Sequence, residues 1–229
     1  MGIFKPSILT ILLASSLLLI GCSDDERMSK VSYQIEVTNL TAAQPMSPLA
    51  VALHSASYGM WEIGASAGSG LEYLAESGDS TILLSEASSA NAVTMMGSGL
   101  ITPGSTDSVI IDASKTGDLA LSFATMLVNT NDAFTGLSGE MLNDLELGET
   151  RNITLIAFDA GTEANTESAS TVPGQAAGGE GYNANRDDRD TVGGHPGVVT
   201  SADGLPTSAL GEKHRFDNPV ARVAITRLK

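Results

Sequence analysis

The chain has 229 residues, of which 42% are hydrophobic, 17% charged and only 4% aromatic. That length suits one domain or two small ones, and the core must come from Val, Ile, Leu, Ala and Met. Twelve Lys and Arg stand against 27 Asp and Glu, a formal net charge of −15, which repels phosphate backbones and excludes general nucleic-acid binding. The single Cys excludes a disulfide framework and a Cys-based zinc site within one chain. Low charge, with Gly, Ser, Thr and Asn filling the gap, favours an exported all-β or loop-rich protein over a helical bundle.

Lys5 is followed by an apolar run from Ile8 to Ile20, interrupted only by Thr10, Ser15 and Ser16. Such a run spans about 20 Å as a helix, short of the roughly 30 Å hydrocarbon core, so residues 1–21 read as a secretory signal and not as a membrane span. It ends in Leu19-Ile20-Gly21-Cys22, which resembles a bacterial lipobox, with the only Cys of the chain at the lipidated position. Cys22 would then carry acyl chains that anchor the protein to a membrane. Ser23 follows it, and by resemblance to Gram-negative sorting this points to an outer-membrane lipoprotein, periplasmic or surface-exposed. Residues 22–30 are polar and read as a tether.

Residues 31–229 read as one domain. Val31, Tyr33, Ile35 and Val37 alternate with polar residues, the period of a half-buried strand. Leu49 to Leu53 is a short apolar run. Gly70 to Glu76 predicts one or two helical turns, stopped by Ser77-Gly78-Asp79. Further strands are predicted over Ser108 to Ile111, Leu119 to Val128, Asn152 to Phe158 and Val220 to Leu228. Ala160 to Asn218 is rich in Gly, Asn, Asp and Ala and predicts a long irregular region, of the kind that is functional or disordered. Short strands separated by turn residues predict an all-β sandwich or barrel.

Acidic residues follow two of these strands: Asp132 after one, Asp159 and Glu163 after another. If the strands are neighbours with their ends together, the three carboxylates converge, and they repel one another unless a cation intervenes. Ca²⁺ suits such a site, because it takes six to eight hard oxygen ligands. Gly161 would let the loop fold tightly enough to bring Glu163 beside Asp159. The other reading of these residues is a set of solvated loop acids.

Three segments carry a family resemblance. Ser122-Phe123-Ala124 through Asn131-Asp132-Ala133-Phe134-Thr135-Gly136-Leu137, then Asp159-Ala160-Gly161-Thr162-Glu163, and finally Pro219-Val220-Ala221-Arg222-Val223-Ala224-Ile225 resemble, in order, the motifs of the spondin amino-terminal domain family. Gly64 through Glu72 and Ala75 to Asp79 also fit. The resemblance implies an antiparallel β-sandwich similar to C2 domains. It further implies a calcium site at one end, carried onto Asp132, Asp159 and Glu163. Ala133 stands where the family has Trp, and Glu163 replaces an Asp.

Other constellations compete. Gly64-Ala65-Ser66-Ala67-Gly68 matches the nucleophile elbow of α/β-hydrolases, but the elbow needs a buried strand before it and a long helix after it. His195 and His214 lie in the long polar region and are candidate additional ligands. Tyr58, Trp61 and Tyr73 are close enough in sequence for an aromatic platform, with ordinary packing as the other reading. The sequence therefore predicts a calcium-binding, lipid-anchored envelope protein that acts as a non-catalytic binding or adhesion module. An extracellular matrix or polysaccharide ligand is expected by analogy. The alternatives are a structural envelope lipoprotein whose metal only stabilises the fold, and a serine hydrolase using Ser66.

Overall fold

A computed structural model describes residues 1–3, 29–115 and 117–229. The signal segment expected from residue 4 onward, Cys22 as the expected lipidation site, and the expected tether as far as residue 28 lie outside the described residues.

The first strand, β1 (Ser29–Asn39), buries Val31, Tyr33, Ile35 and Val37 on one side, as its alternation demands. It pairs antiparallel with β4 (Thr106–Lys115) and with β10 (Ala221–Arg227), and β10 pairs with β7 (Thr150–Leu155). This gives a four-stranded sheet in the order β4-β1-β10-β7. The second sheet holds β2 (Ala50–Ser55), β3 (Val93–Met96), β5 (Leu119–Met126), β6 (Ala133–Met141), β8 (Phe158–Asp159) and β9 (Gly193–Gly194) in the order β3-β2-β5-β6-β8-β9. The two sheets face each other across Ile35, Val37, Val51, Leu121, Phe123, Val223 and Ile225, all part of one buried cluster. The fold is an all-β antiparallel sandwich.

The six-stranded sheet is covered on its outer face as well. Two helices, α1 (Ser69–Ser77) and α2 (Thr81–Ser89), place Leu71, Leu74, Ala75, Leu83 and Ala87 against Ala50, Ala52, Ala124, Phe134 and Phe158. Every residue of β5 is therefore buried, on both faces of the strand. The helix predicted over 70–76 stops where expected, because Gly78 takes the left-handed conformation and donates its N–H to the Leu74 carbonyl.

Residues 160–218 contain only the two-residue β9 and two short 3₁₀ turns. They enclose a small apolar cluster of Val172, Val198 and Leu210. Ala160 and Val192 join the outer cluster and Phe216 packs against the core, but this burial is small for nearly sixty residues, so much of their attachment is polar.

Candidate metal centre

The turn between β5 and β6 contributes to that attachment with three side chains, those of Asn129, Asn131 and Asp132. Asn129 accepts the Ala176 N–H through Oδ1 (3.1 Å) and donates to the Ala43 carbonyl (2.9 Å). Asn131 accepts the Glu167 N–H (3.2 Å). Asp132 Oδ2 accepts the N–H groups of Thr162 (2.8 Å) and Glu163 (3.1 Å), and the Thr162 hydroxyl at 3.3 Å. Between them Thr130 closes the turn, donating to the Leu127 carbonyl (2.6 Å) and accepting the Ala133 N–H (3.0 Å). A short polar segment thus grips the long region at residues 162–163, 167 and 176.

The two acidic loops do meet. Ala133 lies opposite Asp159 in the β6–β8 ladder, so Asp132 and Asp159 occupy the same end of the sandwich. The chain reverses at Gly161, whose φ is +72° and where an added Cβ would lie 2.5 Å from the Thr191 carbonyl oxygen. Asp132 and Asp159 are fully buried, and Glu163 is nearly so.

Their oxygens are not equivalent. Asp159 is satisfied: Oδ1 accepts the Gly161 N–H (2.8 Å), while Oδ2 accepts the Asn165 amide (2.7 Å) and lies 3.4 Å from the Arg189 guanidinium. Asp132 Oδ1 and Glu163 Oε2 are buried with no hydrogen-bond partner. So are Oε1 of Glu76, on α1, and Oε2 of Glu167. Among the described residues no Lys, Arg or His forms an ion pair with Glu76, Asp132, Glu163 or Glu167; Arg186 is committed to Glu72 and Asp190.

Buried carboxylates without a counter-charge hold their protons. Burial, reinforced by the charge of Asp159, pushes Asp132 up to about 7 despite its two backbone N–H donors. Burial raises Glu163 to about 8, with Glu76 and Asp132 adding repulsion and the Asn131 side chain opposing. Glu167 is raised to about 7, again by burial. Glu76 moves in the same direction for the same first cause.

Among the described residues no group of three or more His, Cys, Asp or Glu side chains is arranged to hold a metal ion as it stands. The arrangement is one of separate, uncompensated carboxylates and not a finished coordination shell. The donor chemistry nonetheless fits a hard cation. Every unpartnered group except the Asn131 amide is a carboxylate oxygen, and the pKa of each of these carboxylates is raised first by burial.

Sequence reasoning missed Glu76. The signal was present in the spacing, because Glu72 and Glu76 are four apart and so share a helix face with one another. The histidines do not join the cluster. His195 is buried and neutral, its pKa lowered to about 4; Nδ1 accepts the Gly197 N–H (3.0 Å), and Nε2 faces Asn165 Oδ1 at 3.0 Å. His214 Nδ1 accepts the Gly211 N–H at 3.0 Å. The three aromatic residues are dispersed: Tyr58 meets His54, Trp61 packs on Phe134 and Phe158, and Tyr73 stacks on Tyr182. Ser66 donates to Asp190 (2.6 Å) and accepts from Arg186 (3.0 Å), with no histidine as base; neither the strand nor the long helix of a nucleophile elbow flanks it.

A comparison with curated proteins gave no match. The family model described as Spondin_N matches residues 37–178, more than half of the chain, from within β1 through the acidic turn and into the long irregular region. The chain belongs to the spondin amino-terminal domain family.

Proposed function

We propose that this protein is a calcium-binding, lipid-anchored envelope module whose role is binding or adhesion and not catalysis. The observation that carries the calcium reading is the pair of buried, unpartnered oxygens Asp132 Oδ1 and Glu163 Oε2, which no Lys, Arg or His among the described residues pairs with. A bound Ca²⁺ would supply the missing positive charge. Asp132 and Glu163 would hold it, and Asp159 would add negative potential while keeping the loop in place through Gly161 and Asn165.

The direction of β1 supports a role in recognition. The strand begins at Ser29, beside Lys115, and ends at Asn39, whose side chain donates to the carbonyls of Gln44 (2.8 Å) and Ile101 (2.9 Å). Gln44 in turn donates to the Asn129 carbonyl at 3.2 Å, so Asn39 lies at the acidic end. Eleven residues of strand span about 36 Å at roughly 3.3 Å each. An anchor at Cys22 would therefore hold the sandwich by one pole and turn the acidic end away from the lipid, toward a matrix or polysaccharide ligand.

A second reading has its own support. Asp132 is completely buried, so an ion there would touch mainly protein and would serve the fold alone. Thermal melting in EDTA and in millimolar Ca²⁺ tests the shared premise. Extracellular sites bind at about 10⁻⁴–10⁻³ M, so ~10 mM Ca²⁺ stands at roughly 10–100 times Kd and adds about 1.4–2.7 kcal/mol, a rise in Tm of about 3–10 °C for a domain this size. No shift refutes the calcium site. A glycan and matrix array with and without chelator then separates recognition from scaffolding. Incorporation of labelled palmitate that survives Cys22→Ala refutes the anchor.

A further inference from the structure

Glu76 sits in the last turn of α1 and is completely buried. Its Oε2 accepts the Asn183 N–H at 2.8 Å, and its Oε1 has no partner. The nearest arginine of the long region, Arg186, is occupied: Nε and Nη2 bind the two oxygens of Glu72 at 3.1 and 2.8 Å, and Nη2 also donates to the Ala67 carbonyl at 2.8 Å. Thr162 links Glu76 to the acidic loops, because its hydroxyl lies near Glu76 while donating to Asp132 at 3.3 Å. Glu163 feels the charges of both Glu76 and Asp132.

Resting on the calcium reading above, we propose that Glu76 is a further carboxylate ligand of the same divalent cation, supplied by helix α1. The ion would then tie together three separate pieces of chain: α1, the β5–β6 turn and the 159–163 loop. The consequence reaches a fourth. Residues 182–186 lie on α1 through the Tyr73–Tyr182 stack (ring centroids 3.6 Å apart), the Asn183–Glu76 hydrogen bond and the Arg186–Glu72 pair. Fixing Glu76 on an ion fixes the residue that receives Asn183, so ion binding closes the 180–190 segment onto the helix.

Glu76→Gln is the discriminating variant in the full chain. The amide has the same shape and keeps an oxygen for Asn183, while it removes a buried carboxyl group whose Oε1 has no partner. The expected result has two parts: in EDTA the Tm is unchanged or raised, and Ca²⁺ affinity by calorimetry falls at least tenfold. Calcium also ceases to protect residues 180–190 from limited proteolysis. Glu76→Asp, which keeps the charge on a shorter arm, should bind more weakly than the wild type but still gain protection. If the wild type binds no Ca²⁺, the calcium reading falls and this inference with it. If the wild type binds and Glu76→Gln binds equally well, the calcium reading stands and the role of Glu76 is overturned. A lowered Tm in EDTA with unchanged Ca²⁺ affinity also overturns it, since that is the behaviour of a purely structural side chain.

Discussion

Asp132 makes a prediction whose sign is opposite to that of a salt-bridged or well hydrogen-bonded acid. In the fold its pKa is about 7, against an ordinary 3.8. A carboxyl raised by folding binds its proton more tightly in the native state. Its stabilisation is therefore complete below about pH 4 and is lost as pH rises through 7. Integrating the two titrations gives a loss of roughly 2–3 kcal/mol between pH 5 and pH 7.5. Asp132→Asn abolishes this titration while keeping an oxygen for the N–H groups of Thr162 and Glu163, so the variant still folds. The assay is urea unfolding of both proteins in EDTA at pH 5 and 7.5. The wild type should lose roughly 2–3 kcal/mol more than the variant between the two values. Relief of the repulsion on Glu163 in the variant widens the gap. Saturating Ca²⁺ should reverse the wild-type trend, because the ion takes the place of the protons, and should leave the variant unmoved. Equal pH dependence of the two proteins in EDTA would show that Asp132 is not held protonated and would remove the electrostatic basis of the site.

Two further substitutions probe the scaffold. Arg186→Ala strips Glu72 of both its guanidinium bonds and leaves a buried carboxylate behind; about 1–3 kcal/mol of stability should be lost, with faster proteolytic nicking at 180–190, and an unchanged nicking rate would mean that the pair does not hold the segment. Gly136→Ala drives a methyl group into the Phe123 carbonyl across the β5–β6 pair, so the strands must separate; urea unfolding should show a loss above about 2 kcal/mol, and a smaller effect would mean that this strand pair yields easily.

The parts of the fold that could be read from sequence are those where one face of a strand is buried and the other is wet. β1 and β10 alternate cleanly because each packs on the core with one side only. β5 was found as a strand, but its second buried face was not, since Ala120, Ser122 and Ala124 carry no sign of the helices that cover them. β6 was missed. Gly136 and Gly139 weaken its pattern, and it exists as a strand because β5 pairs with it, through a bulge between Leu121 and Phe123. α2 was missed for a related reason: it is rich in Ser and has weak intrinsic preference, and packing of Leu83 and Ala87 holds it in place. At the site, the convergence of Asp132 with the 159–163 loop was legible from carboxylates placed after two strands. The division of labour was not. Asp159 is consumed by Gly161, Asn165 and Arg189, partners that lie two, six and thirty residues away, and no spacing rule separates a satisfied carboxylate from an unsatisfied one.

That division explains why the long region and the acidic cluster belong to one unit. The region's packed apolar side chains, Val172, Val198 and Leu210 in their own cluster with Ala160, Val192 and Phe216 on the two larger ones, are too few to order residues 160–218 against the entropy of nearly sixty backbones. The remaining attachment is polar, and it is concentrated on the groups around the unpartnered oxygens: Thr162 and Glu163 on Asp132, Glu167 on Asn131, Asn183 on Glu76. Each such bond contributes about 1 kcal/mol only while both partners stay in place. Mutual repulsion of the ionised acids works against all of them together, and any process that neutralises the cluster, by protons or by a cation, strengthens all of them together. The region is therefore expected to order and loosen as a single cooperative element, governed by charge at the cluster and not by its own hydrophobic content.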